Sequence, residues 1–440
     1  MTQLCDTEGI TSSLPGTAPR MPGGGISIWP LTAQPAVSIG GVSLAEIAGR
    51  FGTPADVLDE EHVRFRCREY RTAMAPHEVA YAGNAFWCRG MARWVAEEGL
   101  SLDACSEGEL LVAAATGFPA ERILLRGTGK TPRELAAALD YGVGRIVIDS
   151  PGEVAQIAAL ADQRQRVLVR VIPELDAPAR QARPASAEDQ EFGLSIASGA
   201  AADVAHRIAR QPSLELAGAD CHLGSQITSL DGYEAAARRL VAFAASLGGL
   251  PELSLGGGHA ALSRPSAHGR AVTAFARRIT SAIEQECAVH GIPVPRITIE
   301  PGGAIVGSAG VTLYRVLTVH HGARPVVVVD GGSSGSPQPV LSAGRHHAER
   351  VGDPAAGDRR AMAVIGRHGA GDVIVPEAWL PGDLRPGQLL AVPGTGACHH
   401  AMASDYDYST RPPVIAVRDG RAWPLIRRET DEDLLRRDVG

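Results

Sequence analysis

From about residue 78 to residue 303 two patterns alternate along the chain. Short β-rich runs occupy 78–83, 100–106, 122–127, 145–150, 166–172, 216–224, 252–258 and 296–303. Between them lie alanine-rich stretches whose apolar residues recur at spacings of three and four, as in 133–139 and 153–161. The runs read as strands and the spaced stretches as helices with one apolar face. Eight strands, each but the last followed by a helix, predict an α/β fold with a (β/α)8 TIM barrel. An open doubly wound sheet has the same local pattern, but eight units in series favour closure.

After Gly310 the pattern shortens. Runs at 311–319, 325–330, 361–366, 372–375, 388–392 and 413–418 are separated by Gly, Pro and Asp turns, which predicts a C-terminal β-rich domain. The expected division is a disordered leader (1–25), a segment joining the β domain (26–60), the barrel (61–310) and the β-rich domain (311–440). The leader is rich in Thr, Pro, Gly and Ser and lacks the basic start and apolar middle of a signal peptide. A stretch rich in Pro, Ala and Arg, 173–190, reads as a loop over the barrel mouth.

Composition narrows the partners. The formal charge is −7 with a pI near 6.1, which gives no reason to expect nucleic acid or an anionic membrane. No apolar run reaches the ~18 residues of a spanning helix. Seven cysteines, at 5, 67, 88, 105, 221, 287 and 398, are odd in number and show no CxxC spacing. This argues against a disulfide framework or a zinc ribbon and for a cytoplasmic protein. Histidine pairs at 320–321, 346–347 and 399–400 would point to opposite faces of a strand, so no metal site is expected.

Active sites of such barrels sit at the C-terminal ends of the strands. That rule selects Asn84, Asp103, Ser106, His222, Ser225, Gly256, Gly257, Gly258, Glu300, Gly302 and Gly303. The glycine run ends the seventh strand, where backbone N–H groups can approach a phosphate. His222 could stack on a planar ligand or exchange a proton, with Gly224-Ser225-Gln226 beside it. Glu300 ends the apolar eighth strand and could pair with a protonated ring nitrogen or an ammonium group.

Several motifs in order resemble the fold-type III pyridoxal-phosphate decarboxylases, the diaminopimelate and ornithine decarboxylases, and the diaminopimelate branch most. They include Asp103-Ala104-Cys105-Ser106-Glu107-Gly108, Phe192-Gly193-Leu194, His222-Leu223-Gly224-Ser225, Gly256-Gly257-Gly258, Glu300-Pro301-Gly302, Asp330-Gly331-Gly332 and Met402-Ala403-Ser404-Asp405-Tyr406. The resemblance implies an alanine racemase-like barrel with a β domain, and a head-to-tail homodimer with sites at the interface. It assigns His222 to the cofactor ring, Ser225 and Gly256–Gly258 to its phosphate and Glu300 to its ring nitrogen.

Six changes, one of them a residue pair, depart from the family pattern. The Schiff-base lysine falls on Asn84, and an amide nitrogen, delocalised into its carbonyl, is no nucleophile. The chain's single lysine is Lys130, in the loop after the third strand. Two substrate arginines fall on Gly303 and Gln338, and a substrate tyrosine falls on Ser342. The Cys-Glu pair that the partner subunit supplies falls on Gly369-Ala370, and the phosphate tyrosine falls on Cys398. The expectation is therefore a repurposed biosynthetic enzyme acting on an amino-acid-like or phosphate-bearing small molecule. It would use no Schiff base to the protein, with His222 as acid or base and Asn84 orienting the ligand. One alternative is a non-catalytic pseudoenzyme that binds a protein partner; another is an amino-acid decarboxylase that uses non-covalent pyridoxal phosphate. No covalent cofactor is expected, only non-covalent pyridoxal phosphate or another phosphate ligand.

Overall fold

The computed structural model describes residues 38–175, 192–224, 230–258, 268–335, 347–352, 358–369 and 371–440, with 268–270 as backbone alone. The leader, most of the 173–190 loop, Ser225, Gln338, Ser342 and Ala370 lie outside the described residues.

The chain enters through helix α1 (Leu44–Phe51), strand β1 (Ala55–Asp59) and helix α2 (Glu60–Met74). Eight parallel strands follow: β2 (Glu78–Ala82), β3 (Ser101–Ala104), β4 (Ile123–Leu125), β5 (Arg145–Ile148), β6 (Gln165–Ile172), β7 (Leu214–Asp220), β8 (Glu252–Ser254) and β9 (Arg296–Ile299). β9 pairs with β2, and β6 with β7, so the sheet closes on itself as the expected barrel. Helices α3 (Arg89–Glu97), α4 (Glu107–Ala114), α5 (Pro132–Tyr141), α6 (Pro151–Leu160), α7 (Ala200–Ala209), α8 (Asp231–Ser246) and α9 (His268–His290) alternate with them.

Local chemistry sets the helix starts. Thr131 and Glu134 form a reciprocal capping box, Pro132 opens α5, and Gly142 closes it in the left-handed conformation. The Ser106 hydroxyl accepts from the Glu109 N–H and caps α4, so this candidate side chain is used in folding.

The second domain contains β10 (Gly310–His320), β11 (Val326–Val329), β12 (Arg359–Ile365), β13 (Val373–Pro381), β14 (Leu389–Pro393), β15 (Val414–Arg418) and β16 (Arg421–Ile426). β1 lies between β10 and β15, antiparallel to the first and parallel to the second. β16 was not among the expected runs. Pro424 interrupts its pattern, and the strand tolerates it at the edge of the sheet. Among the described residues no helix is long and apolar enough to cross a membrane.

The barrel interior is layered. At its N-terminal end Arg145 donates to Glu78 at 2.7 and 2.6 Å and to Glu252 at 3.0 Å. Arg296 joins Glu78 at 2.7 Å, and Arg166 joins Glu252 at 2.5 Å. Above this plug Leu124, Val147, Leu168 and Ala217 form a small apolar cluster contributed by β4 to β7. The layer above that is polar again, and it forms the floor of the site.

Candidate active site

Arg126 follows β4 and projects into the barrel mouth. Its Nη2 donates to Asp220, lies 3.1 Å from Glu300 Oε2, and its Nε lies 3.8 Å from Asp103 Oδ1. The four side chains come from the ends of β4, β7, β9 and β3 and are all buried. Ser254, at the end of β8, donates its hydroxyl to Glu300 Oε1 at 2.6 Å. A little further round, Arg170 Nε lies 3.7 Å from Asp149 Oδ1.

The electrostatics follow from burial. It pushes the Asp103 carboxyl up to about 7; Arg126 opposes that rise, and Glu109 and Asp220 add to it. Burial also raises Glu300 well above the usual carboxylate range against the pull of Arg126. His222 is held down to about 3, first by burial and then by Arg126 and Arg170, so its imidazole is neutral at physiological pH.

The glycines have a packing role as well as an open backbone. A Cβ on Gly256, at φ +67°, would lie 2.8 Å from His222 Nδ1 and 2.7 Å from the Cys221 carbonyl. One on Gly257 would lie 2.2 Å from the Glu300 carbonyl, and one on Gly302 would lie 2.9 Å from the Ala85 Cβ. The chain after β8 is thus pressed between the His222 and Glu300 segments, with Gly258 leading out of it. The Tyr233 hydroxyl donates to the Gly257 carbonyl.

Asn84 sits in the turn Gly83–Ala85 after β2 and is exposed. Cys398 of the β domain donates its N–H to the Ala85 carbonyl at 2.8 Å, and Ala397 faces Gly303. The β domain therefore forms one wall beside residue 84. Lys130 Nζ donates to the Gly127 carbonyl at 2.8 Å and lies 3.1 Å from Glu153 Oε1, with only 3% of its side chain exposed. Glu153 also accepts from the Asp149 N–H at 2.8 Å, so Lys130 ties the loop after β4 to the start of α6.

A narrow cleft lies beside the cluster, lined by Val171, Ile172, Glu174, Phe192, His222 and Leu223 among others. Asp103 Oδ1, Arg126 Nε, Asp220 Oδ2, His222 Nδ1 and Glu300 Oε2 are buried and lack a hydrogen bond. Unsatisfied buried polar atoms are costly, and their concentration at one barrel mouth is what a polar ligand would satisfy.

The structure brings His222, Glu300, Asp103 and the glycine run together, with Asn84 at the rim. Arg126, Asp220, Asp149 and Arg170 were missed. Their signal was present: Arg145, Val147 and Asp149 share one strand face, as do Leu124 and Arg126, with charge recurring at the period of two.

Residues 60–307 match the family model described as pyridoxal-dependent decarboxylase, pyridoxal binding domain. The chain is 51% identical over 419 residues to a diaminopimelate decarboxylase of Actinosynnema pretiosum subsp. auranticum, covering 94% of this chain and 95% of the relative. It is 38% identical to the diaminopimelate decarboxylase of Mycobacterium tuberculosis (strain H37Rv), covering 92% and 95%. The solved diaminopimelate decarboxylase of M. jannaschii, in complex with L-lysine, shares the fold with a TM-score of 0.84 at 23% identity, covering 92% and 96%.

These findings overturn the expectation of a repurposed enzyme or of a partner-binding pseudoenzyme, since the high-identity relatives are diaminopimelate decarboxylases. That expectation weighed single substitutions and left out the buried cluster around Arg126. Desolvating four ionisable groups costs several kcal/mol each in rough terms, which a mere scaffold has no reason to sustain. Likeness to diaminopimelate decarboxylases runs through both domains, and the chain belongs to the fold-type III pyridoxal-dependent decarboxylases.

Proposed function

We propose that the protein is an amino-acid carboxy-lyase that uses pyridoxal phosphate, with diaminopimelate as its first candidate substrate. The observation that carries this reading is the 51% identity to a diaminopimelate decarboxylase along 94% of the chain. The donor set fits most of the cofactor. Glu300 Oε2, ion-paired with Arg126 but without a hydrogen bond, suits a protonated ring nitrogen, and the flat, neutral His222 suits the ring face. Gly256, Gly257 and Gly258, with Ser225, suit the phosphate, and Gly302 and Asp103 complete the floor. The resemblance would put the aldehyde end beside Asn84, and Lys130 is occupied by Glu153.

Pyridoxal phosphate supplies the electron sink that lets an amino acid lose its α-carboxylate as CO2. This chain's part is to place and shield. Arg126 fixes the Glu300 carboxylate from one side and Ser254 from the other. Asp103, poised near 7, holds or releases a proton beside them. The β domain forms one wall of the mouth at Ala397 and Cys398. As further parts of the proposal, the protein is cytoplasmic and works as a homodimer, which light scattering on the eluted protein would show.

With added pyridoxal phosphate, carboxyl-labelled diaminopimelate is expected to release CO2 in step with lysine formation. Release no faster than with pyridoxal phosphate alone would sink the reading.

A further inference from the structure

The two histidines at 399–400 divide their tasks. His399 donates from Nδ1 to the Ala397 carbonyl at 2.9 Å, which ties it to its own turn. His400 faces Asp56 on β1, with its Nδ1 3.6 Å from Asp56 Oδ2. We propose that Asp56 and His400 are positioning residues for the decarboxylation. They press the 397–400 segment of the β domain against the turn that carries Asn84, and so fix the wall that orients the amino acid there. The inference rests on the proposed function and adds two residues to it.

Asp56 is a charge in an apolar setting. All five residues of β1 are buried, and Asp56 lies in register with Thr312 on β10 and Val414 on β15. The Thr312 hydroxyl donates to Asp56 Oδ1 at 2.8 Å. Among the described residues, Asp56 Oδ2 and His400 Nδ1 are both buried without a hydrogen bond. A small cavity in the seam between the domains is lined by both residues, with Leu58, Phe86, Thr395 and Val414. A carboxylate only accepts, so the imidazole nitrogen facing it carries the proton. Burying a carboxylate is costly unless it is paired, and His400 is the ion-pair partner that the fold brings to it.

The segment is held at both ends and touches the site between them. At its start the Gly396 N–H donates to the Gly307 carbonyl at 3.0 Å, and a Cβ on Gly396 would strike the Val306 carbonyl. Cys398 stands at φ +59°, a left-handed conformation uncommon for a residue other than glycine. Its N–H donates to the Ala85 carbonyl at 2.8 Å. At the far end the His400 ring meets Phe86 edge-on, with centroids 6.3 Å apart and planes at 78°. Phe86 is held from the barrel side too, its carbonyl accepting from the Tyr81 hydroxyl at 2.8 Å. Residues 85 and 86 directly follow Asn84 and are therefore clamped between Tyr81 and the 398–400 segment. Asp56 fixes the outer end of that clamp. Glu300, His222 and the glycine run follow other strands, so the clamp governs orientation at residue 84 and leaves the rest of the floor alone.

The test uses the full chain with D56A, H400F and the double variant. H400F keeps a ring against Phe86 and removes the nitrogen that meets Asp56. D56N, which keeps the shape and an acceptor for Thr312, replaces D56A if melting shows that variant unfolded. With added pyridoxal phosphate and diaminopimelate, each single variant is expected to lose kcat by about tenfold or more, because small misplacements at the reacting centre are costly in rate. Cofactor affinity in an absorbance titration is expected to stay within about twofold of wild type. The double variant is expected to be no slower than the worse single one, because both changes break one link. Amide exchange read by mass spectrometry needs no turnover: the peptide over 396–400 is expected to exchange about tenfold faster in each variant, with 296–302 unchanged. Wild-type kcat in the single variants, losses that multiply in the double variant, or a matching loss of cofactor affinity would overturn the inference. Wild type that releases no CO2 from diaminopimelate sinks the proposed function instead, and exchange then decides alone. Faster exchange at 396–400 in D56A and H400F upholds the positioning role, and unchanged exchange there removes it.

Discussion

Replacing Asp103 by asparagine should stabilise the protein at pH 8 and change little at pH 4. In the native state the carboxyl is raised from 3.8 to about 7, first by burial, with Arg126 opposing and Glu109 and Asp220 contributing. A raised carboxyl means that the folded protein prefers the protonated form. The stability this contributes is fully present below 3.8 and is lost as pH rises through 7. Each pKa unit is worth about 1.4 kcal/mol, so the loss approaches ~4 kcal/mol. That is an upper bound, because Asp103, Asp220 and Glu300 share Arg126 and titrate together. Asparagine keeps the shape and removes the charge. The Arg126 contact it gives up is long, 3.8 Å, and Asp220 and Glu300 continue to hold the guanidinium. Roughly 2 °C per kcal/mol for a unit of this size gives a rise of several degrees in Tm at pH 8. The assay is thermal melting of wild type and D103N from pH 4 to pH 8 without added ligand. A gap that does not widen with pH, or D103N melting lower at pH 8, would refute the account of the cluster.

At the opposite end of the barrel, R145M leaves Glu78 and Glu252 buried without their shared partner and should cost about 3–5 kcal/mol in urea unfolding at pH 7. Although burial opposes it, Arg145 holds Glu78 down to about 2; the stability this gives is present above pH 4.5 and lost as pH falls through 2, so wild type and R145M should converge in acid. E300Q should weaken pyridoxal phosphate by tenfold or more in an absorbance titration, as loss of a charged hydrogen-bond partner does. N84K should gain a borohydride-stable pyridoxyl group at residue 84 and a faster decarboxylation, whereas K130R should keep wild-type cofactor affinity and lose only stability.

The barrel was legible because each unit announces itself locally, with strand and helix periods alternating from residue 78 onward. Glu300 and the glycine run were legible because the strand-end rule reaches them directly. The electrostatic partners were not, because they meet only on closure. Arg126 and Asp220 are 94 positions apart and belong to strands that are not neighbours in the sheet. His222 could be named as a candidate, but its neutrality comes first from burial in the closed barrel and then from Arg126 and Arg170, which arrive from two other strands. β16 was hidden by Pro424, whose place at a sheet edge is a property of the finished domain. The function was misjudged for a related reason. Substitutions such as Asn84 and Gly303 are visible one at a time, while the network that stays in place is visible only in three dimensions.

The two polar layers of the barrel differ in a way that says which end binds. At the N-terminal end Glu78 and Glu252 meet Arg145, Arg166 and Arg296, so the carboxylates are fully compensated. Among the buried side-chain atoms of these groups, Arg145 Nε alone lacks a hydrogen bond. Among the described residues at the C-terminal end, Asp103, Asp149, Asp220 and Glu300 share Arg126 and Arg170, with Lys130, itself paired with Glu153, acting on Asp149. All four carboxylates there retain at least one buried oxygen without a hydrogen bond. A closed layer of that kind must take up protons or a cation, and the raised positions of Asp103 and Glu300 are the first of these answers. A ligand bringing a protonated nitrogen supplies the second. The excess of carboxylate therefore suits the mouth to a ligand with cationic nitrogen, as the proposed function requires, while the balanced plug below holds the strands in register beneath it.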